Sequence, residues 1–279
     1  MAKKVLILGA KGMLGTALMA EFFDLNPVGL DREDIDITDQ NQVNQKILNL
    51  RPDLIINAAA YTDVDGAESN QDLANAVNGT AVGYVAAAAK QVGAILVHYS
   101  TDYVFDGQNQ AGYNEDDQPN SINAYGRSKL LGEEELQKNT DQFYLIRTAW
   151  LYGPSGKNFV DTILSLAKTK ESLKVVNDQF GRPTYTIDLA HTTRKLLESN
   201  SEFGIYHFTN QTKPEGITWF DFASEAIKLS DLKTAVVPCS TKDFPRPAKR
   251  PNYGVLQNNK SVTLRNWQEA LKDYLSKKI

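Results

Sequence analysis

Short, mostly apolar runs alternate with stretches of helical spacing along the first half of the chain. The runs are Val5-Leu6-Ile7-Leu8, Val28-Gly29-Leu30-Asp31, Leu54 to Asn57, Ala94 to Tyr99 and Phe143 to Arg147. Their apolar residues are consecutive rather than alternate, which suits strands buried on both faces of a parallel sheet. After the first run, Met13, Leu14, Ala17, Leu18 and Phe22 recur at roughly helical spacing, and residues 73–91 and 121–138 read as the clearest helices. Strands alternating with helices imply a doubly wound sheet, because same-direction strands need crossover connections.

Beyond Trp150 the alternation loosens. Helices are predicted over 158–170, 186–199, 219–229 and 266–277, and strands over 173–176 and 205–208. Residues 238–251 hold four of the ten prolines and read as loop. The expected fold is α/β: a Rossmann-like doubly wound parallel sheet with a smaller mixed α/β substrate-binding lobe. Residues 1–150, with returning segments near 173–204, form the sheet domain in this reading; residues 151–172 and 205–279 form the lobe.

Composition adds exclusions. The single cysteine, Cys239, rules out a disulfide within the chain. A net charge of −4, with no basic stripe in the first 240 residues, argues against nucleic acid as the main partner. No run approaches the ~18 apolar residues of a membrane span. Residues 1–4 are followed by only four apolar positions, shorter than a secretory leader, so a cytoplasmic protein is expected. His98, His191 and His207 are far apart and lack metal-ligand spacing; His98 and His207 read as structural residues within strands.

Gly9, Gly12 and Gly15 stand three residues apart between the first strand and the first helix. In that context glycines allow a tight turn and close backbone approach, and the helix start offers free N–H groups to a pyrophosphate. Asp31 ends the second strand, where a carboxylate would accept hydrogen bonds from an adenosine ribose and disfavour an added phosphate; Arg32 next to it could offset that repulsion.

Tyr125 and Lys129 are four apart on a predicted helix and so share a face. Carbonyl reduction needs a proton donor at the oxygen that receives charge. A free phenol, with pKa about 10, donates poorly at neutral pH, and a nearby ammonium is expected to lower it. Alone the pair could arise by chance; with the glycine motif upstream it points to catalysis. Thr101 lies at the C-terminal end of the fourth strand, the edge where open parallel sheets bind ligands, and its hydroxyl could hold a carbonyl near Tyr125.

Together these residues resemble the extended short-chain dehydrogenase/reductase superfamily, and within it the dTDP-4-dehydrorhamnose reductase family. The resemblance runs through 57–60 (NAAA), 98–105 (HYSTDYVF), 147–152 (RTAWLY) and 178–184 (DQFGRPT), nearly end to end. It implies a catalytic trio of Thr101, Tyr125 and Lys129, with Tyr125 protonating O4 and Lys129 also bonding the nicotinamide ribose. The cofactor would lie along Gly12, Met13, Leu14, Asp31, Asp36, Ile37, Ala60, Tyr61, Thr62 and Tyr99, and Asp102 and Trp150 would contact the sugar nucleotide. The family's usual cofactor is NADPH; some members accept NADH, the direction in which Asp31 points. Some members dimerise around a magnesium ion held by an acidic residue where this chain has Ala17. No metal is therefore expected, and a monomer or weak homodimer is.

Lys242, Arg246, Lys249 and Arg250 form a basic cluster in the proline-rich loop. It reads either as a solvated loop or as a diphosphate contact, for which Arg250 is the candidate, since arginine's fork suits phosphate oxygens. The implied activity is reduction of dTDP-4-dehydro-L-rhamnose to dTDP-L-rhamnose, for cell-surface polysaccharide supply. Two alternatives stand beside it. One is a nucleotide-sugar epimerase or dehydratase, although no glutamate follows Asp102 for the dehydratase chemistry. The other is a non-catalytic, NADP-binding regulatory subunit of the methionine adenosyltransferase type, against which the intact tyrosine–lysine pair argues.

Overall fold

In a computed structural model, residues 4–199, 201–260 and 263–278 are described. Met1 to Lys3, part of the stretch read for a leader, lie outside them. In chain order come β1 (Val5–Leu8), α1 (Met13–Glu21), β2 (Val28–Leu30), α2 (Gln40–Leu50), β3 (Leu54–Asn57), α3 (Gly66–Ser69), α4 (Gln71–Asn75), α5 (Ala81–Val92), β4 (Ile95–Thr101), α6 (Ala124–Asn139) and β5 (Phe143–Thr148). There follow β6 (Leu151–Tyr152), α7 (Phe159–Ala167), β7 (Ser172–Val176), β8 (Phe180–Gly181), β9 (Thr184–Tyr185), α8 (Thr186–Glu198), β10 (Gly204–His207), β11 (Ile217–Thr218), α9 (Trp219–Leu229), β12 (Ala235–Cys239) and α10 (Trp267–Ser276).

Six strands form one parallel sheet in the order β10-β5-β4-β3-β1-β2. The runs predicted as doubly buried strands behave so: β1 and β3 are buried at every position. Val5, Ile7 and Ile56 face a core shared with α1 and α8, whereas Leu6, Leu8 and Ile55 face one shared with α2 and α5. The winding reverses at β1, which has β2 on one side and β3 on the other. At such a switch point the connecting loops part and leave a crevice at the strands' carboxyl ends.

The helix α2, expected between the second and third strands, had no bounds legible in the sequence. Only Val43 and Ile47 of its eleven residues are buried, so the apolar stripe is thin amid asparagines and glutamines. Its start is instead set by Asp39, whose carboxylate accepts from the amides of Asn41 and Gln42. The predicted helix over 73–91 is interrupted by a π-helical turn, Ala76–Thr80. There the buried Asn78 accepts from the Tyr61 amide (2.8 Å) and donates to the Tyr61 carbonyl (2.9 Å) and to Ser128 Oγ of α6 (3.0 Å). Widened turns of this kind place a side chain where a regular helix would not.

Two expectations about the second half are corrected. The strand at 173–176 does not return to the main sheet: β7 pairs in parallel with β12. The stretch that returns is α8 through β10, with α8 packed on α1 and β10 hydrogen-bonded to β5. Thus 205–207 belong to the six-stranded sheet rather than to the lobe. Nor is 238–251 loop throughout, because Pro238 and Cys239 end β12. In a two-stranded sheet each strand has an open edge, which tolerates a proline.

Helix α6 is bound to the sheet by a buried ion pair. Arg147 of β5 donates from Nη2 to Glu133 Oε2 (2.7 Å) and from Nε to Glu133 Oε1 (3.0 Å), with side chains 2% and 1% exposed. Ser100 of β4 donates to the same carboxylate, and the guanidinium lies over the Phe105 ring, 5.0 Å from its centroid. Removing one member leaves the other buried and uncompensated, so Glu133→Ala should destabilise the fold by about 3–5 kcal/mol. The paired apolar replacement Glu133→Leu/Arg147→Met should lose far less. Urea denaturation of the three proteins checks this; equal losses in single and double variants would contradict it.

Candidate active site

The crevice at the switch point is a cleft of about 760 Å³ lined by the ends of β1, β2 and β3 and by the first turn of the π-containing helix. Gly9 turns with φ +73°, and a Cβ there would lie 2.7 Å from the Ala59 nitrogen, so only glycine lets β1 and β3 end this close together. Gly12 is the N-cap of α1 and offers no side-chain cap, which leaves the helix's first amides to point into the cleft. These features fit a dinucleotide pyrophosphate.

Gly9, Gly12, Asp31, Asp36, Ile37, Ala60 and Tyr61 line the cleft, as does Arg32 beside Asp31, together with Lys11, Thr38 and Leu73, which the linear pattern did not signal. Asp31 also serves the backbone: its carboxylate accepts from the amides of Lys11 (2.8 Å) and Arg32 (2.8 Å), tying the glycine turn to the end of β2. Leu14 and Gly15 are buried beneath the cleft in α1, and Met13 flanks Gly156. Thr62 is exposed and outside the lining. The Tyr99 ring turns away into the core, where its hydroxyl bonds Thr193 of α8 (2.8 Å); only its carbonyl faces α6.

Beyond the carboxyl end of β4, Thr101, Asp102, Tyr125 and Lys129 come together. Asn123 starts α6 by accepting from the Gly126 amide (2.8 Å), and Glu68 of α3 accepts from the Ala124 amide (2.8 Å). A Cβ at Gly126 would collide with the Tyr103 carbonyl, so glycine allows the first turn to seat against the 3₁₀ turn after β4. The Tyr125 ring meets Tyr103 edge-on at 5.6 Å. Thr101 accepts from the Tyr103 amide (3.2 Å) and donates to Asp102 Oδ1 (2.9 Å), so it caps that turn and belongs to the site as well.

The three titratable groups are all displaced. Burial pushes Asp102 up to about 7, opposed by the bond from Thr101. Burial pulls Lys129 down to about 8, against the charge of Glu133. Burial, and then the charge of Asp102, raise the Tyr125 phenol above its ordinary value of 10. The expected lowering of Tyr125 by Lys129 is therefore corrected. Lys129 Nζ donates instead to the Tyr99 carbonyl (2.7 Å), and the charge nearest the phenol in effect is a carboxylate.

Trp150, at the junction of β5 and β6, holds a left-handed backbone (φ +49°) and stacks on Trp219 with centroids 3.5 Å apart. A bulky residue in that region is strained, and such strain gathers at functional sites. Arg250 does reach the site, but as part of a latch. Its Nη1 donates to Asp65 Oδ1 (2.6 Å) and to the Ala248 carbonyl (2.7 Å), while its charge acts on Tyr103. Asn123 also donates to the Lys249 carbonyl (2.8 Å), so the basic loop is stitched to the start of α6. Asp65 and Asn123 were missed by sequence reading; Asn123, an N-capping residue before a helical pattern, carried a usable signal.

Because the folded protein binds the Asp102 proton more tightly than the unfolded chain, this group costs stability as it ionises. Stability of the wild type relative to Asp102→Asn should fall as pH rises from about 4 to about 7 and level off above. Urea unfolding of both proteins across that range tests it; a pH-independent difference would show that Asp102 titrates normally.

Comparison with known proteins agrees with this geometry. A family model described as the RmlD substrate binding domain matches residues 3–279. The spore coat polysaccharide biosynthesis protein SpsK of Bacillus subtilis (strain 168) is 39% identical, with 99% of this chain and 98% of that protein covered. The dTDP-4-dehydrorhamnose reductase of Escherichia coli (strain K12) is 36% identical over 98% of this chain and 97% of the other. Among solved structures, dTDP-4-dehydrorhamnose reductase from Bacillus anthracis str. Ames in complex with NADP is 38% identical and superposes with a TM-score of 0.95, covering 99% of this chain and all of that one. The chain therefore belongs to the RmlD family, that of the dTDP-4-dehydrorhamnose reductases.

Proposed function

We propose that the protein reduces the 4-keto group of dTDP-4-dehydro-L-rhamnose to give dTDP-L-rhamnose, using NADPH, for polysaccharide precursor synthesis. The observation that carries this reading is the convergence of Thr101, Tyr125 and Lys129 beyond the carboxyl edge of β4, beside a cleft shaped for a dinucleotide. When bound, the dinucleotide supplies the hydride. The glycine turn and the first amides of α1 receive its pyrophosphate, Asp31 and Asp36 receive the adenosine ribose, and Arg32 and Lys11 face any added phosphate.

Tyr125 holds the proton that the substrate O4 needs as negative charge develops there. Its raised pKa keeps the phenol protonated, and Thr101 is placed to hold the carbonyl against it. Lys129 supplies positive charge that favours the phenolate left behind. Asp102 and Trp150 border the sugar, and Arg250 approaches the diphosphate from the latched loop. The same reading places the protein in the cytoplasm, with its nucleotide substrates, as a monomer or weak homodimer. Ala17 packs against the core and carries no ligating atom, so the reading includes no metal there.

Mixing the purified protein with NADPH and the keto sugar, and following loss of reduced-cofactor absorbance, tests the activity. No turnover despite cofactor binding would favour the non-catalytic reading. Tyr125→Phe should keep cofactor affinity and lose turnover by about 10²–10⁴-fold, the range for a general acid; activity within threefold of wild type would remove Tyr125 from that role.

Arg250 makes a contact that substrate and transition state share, so Arg250→Ala should raise KM and leave kcat largely intact. Arg250→Lys keeps the charge but loses the fork, and should recover only part of the affinity. Steady-state kinetics with saturating cofactor read both variants, and an unchanged KM in each would confine Arg250 to its latch with Asp65.

A further inference from the structure

Lys129 does not rest against a conventional acceptor alone. Behind it, on β4, lies His98, fully buried, with Nε2 3.4 Å from Lys129 Nζ. The other ring nitrogen, Nδ1, faces Asn57 Nδ2 at 3.2 Å. The Asn57 amide is in turn oriented by the Ala59 N–H, which donates to Asn57 Oδ1 (3.2 Å). With the carbonyl oxygen occupied in that way, the amide NH₂ is the group turned towards the imidazole. Nδ1 must then be the acceptor, which places the ring proton of a neutral histidine on Nε2.

That proton points at Lys129. An ammonium has three donors and no acceptor, so in its charged form it would meet a second donor inside the protein core. An uncharged amine has a lone pair to receive Nε2–H and still donates to the Tyr99 carbonyl (2.7 Å). We propose that His98, with its proton fixed on Nε2 by Asn57, is a positioning residue that opposes the ammonium form of Lys129 where it rests against β4. The lowered pKa of Lys129 agrees in direction. Besides His98, the charged group that acts on Lys129 is Glu133 on its own helix, itself bound to Arg147 of β5. Glu133 acts in the opposite sense to His98. His98 itself stays neutral, because burial and the neighbouring lysine both hold its pKa well below 6.5.

The consequence deepens the reductase reading and rests on it. A ribose hydroxyl arriving with the cofactor offers Lys129 an acceptor away from His98. Its hold on the proton then strengthens as the dinucleotide binds, and full positive charge beside Tyr125 develops in the loaded enzyme.

The tautomer is read directly by ¹⁵N NMR of the cofactor-free protein, with the His98 ring assigned through correlations to its own backbone. A proton on Nε2 and a bare Nδ1 are expected; a proton on Nδ1 overturns the proposal without any variant having to fold. In His98→Phe the opposing donor is gone, and Lys129, followed through its side-chain ¹⁵N signal, should bind its proton about tenfold more tightly, one unit in midpoint. An unmoved midpoint overturns it too. Adding NADPH should raise the midpoint in wild type more than in the variant, whereas equal shifts would overturn the coupling to cofactor. The first two readouts use neither substrate nor turnover, so they stand apart from any failure of the reductase assay.

Discussion

The site depends on how helix α6 is seated on the sheet, and the Glu133–Arg147 pair governs that seating. Tyr125, Lys129 and Glu133 succeed one another at four-residue intervals, so they form one stripe along the helix. Anchoring Glu133 to β5 through Arg147, and to β4 through Ser100, sets the register of the whole stripe against β4. A buried pair of this kind adds little net stability over apolar packing. Its geometry is nonetheless specific, because a bidentate guanidinium–carboxylate contact tolerates little sliding. One residue beyond Ser100 is Thr101, so the contact that fixes the helix also fixes the phenol relative to the hydroxyl.

Around that anchor the polar groups are held by main chain and by one another. Lys129 is committed to a carbonyl of β4 and Thr101 to Asp102, while Tyr125 is left without the cationic neighbour that would acidify it. The arrangement stores the proton on the phenol. It leaves acidification to whatever draws Lys129 off β4 and brings charge onto the substrate oxygen. Buried titratable groups displaced in this way, close together at the edge of a cleft, mark functional sites.

The second lobe reaches the site through contacts that the chain makes late. The loop bearing Arg250 is latched to α3 by Asp65 and to the start of α6 by Asn123, so substrate contacts and catalytic helix share a support. Trp150 is strained at the seam between the sheet and the lobe, and its stacking on Trp219 of α9 offsets that strain. Displacing the lobe would therefore disturb the site at three points.

Much of this was determined by the sequence itself. Consecutive apolar runs too short for helices point to strands covered on both faces, and the glycine spacing after β1 and the Tyr125–Lys129 interval are local geometry that any such fold preserves. The helix over 219–229 was legible for the same reason, since its apolar stripe is strong. Other features were decided by tertiary structure. The pairing of β7 with β12 joins segments some sixty residues apart by hydrogen bonds whose partners no local pattern names. The direction in which Lys129 points, the sign of the shift at Tyr125 and the second task of Asp31 depend on which groups lie within a few ångströms after folding. His98 is the sharpest case: as a lone histidine in a buried strand it reads as structural, and only its neighbours on β3 and α6 show which of its nitrogens faces the lysine. Periodicity along a chain records what is buried, whereas proton positions and charge coupling are properties of contacts that exist only in three dimensions.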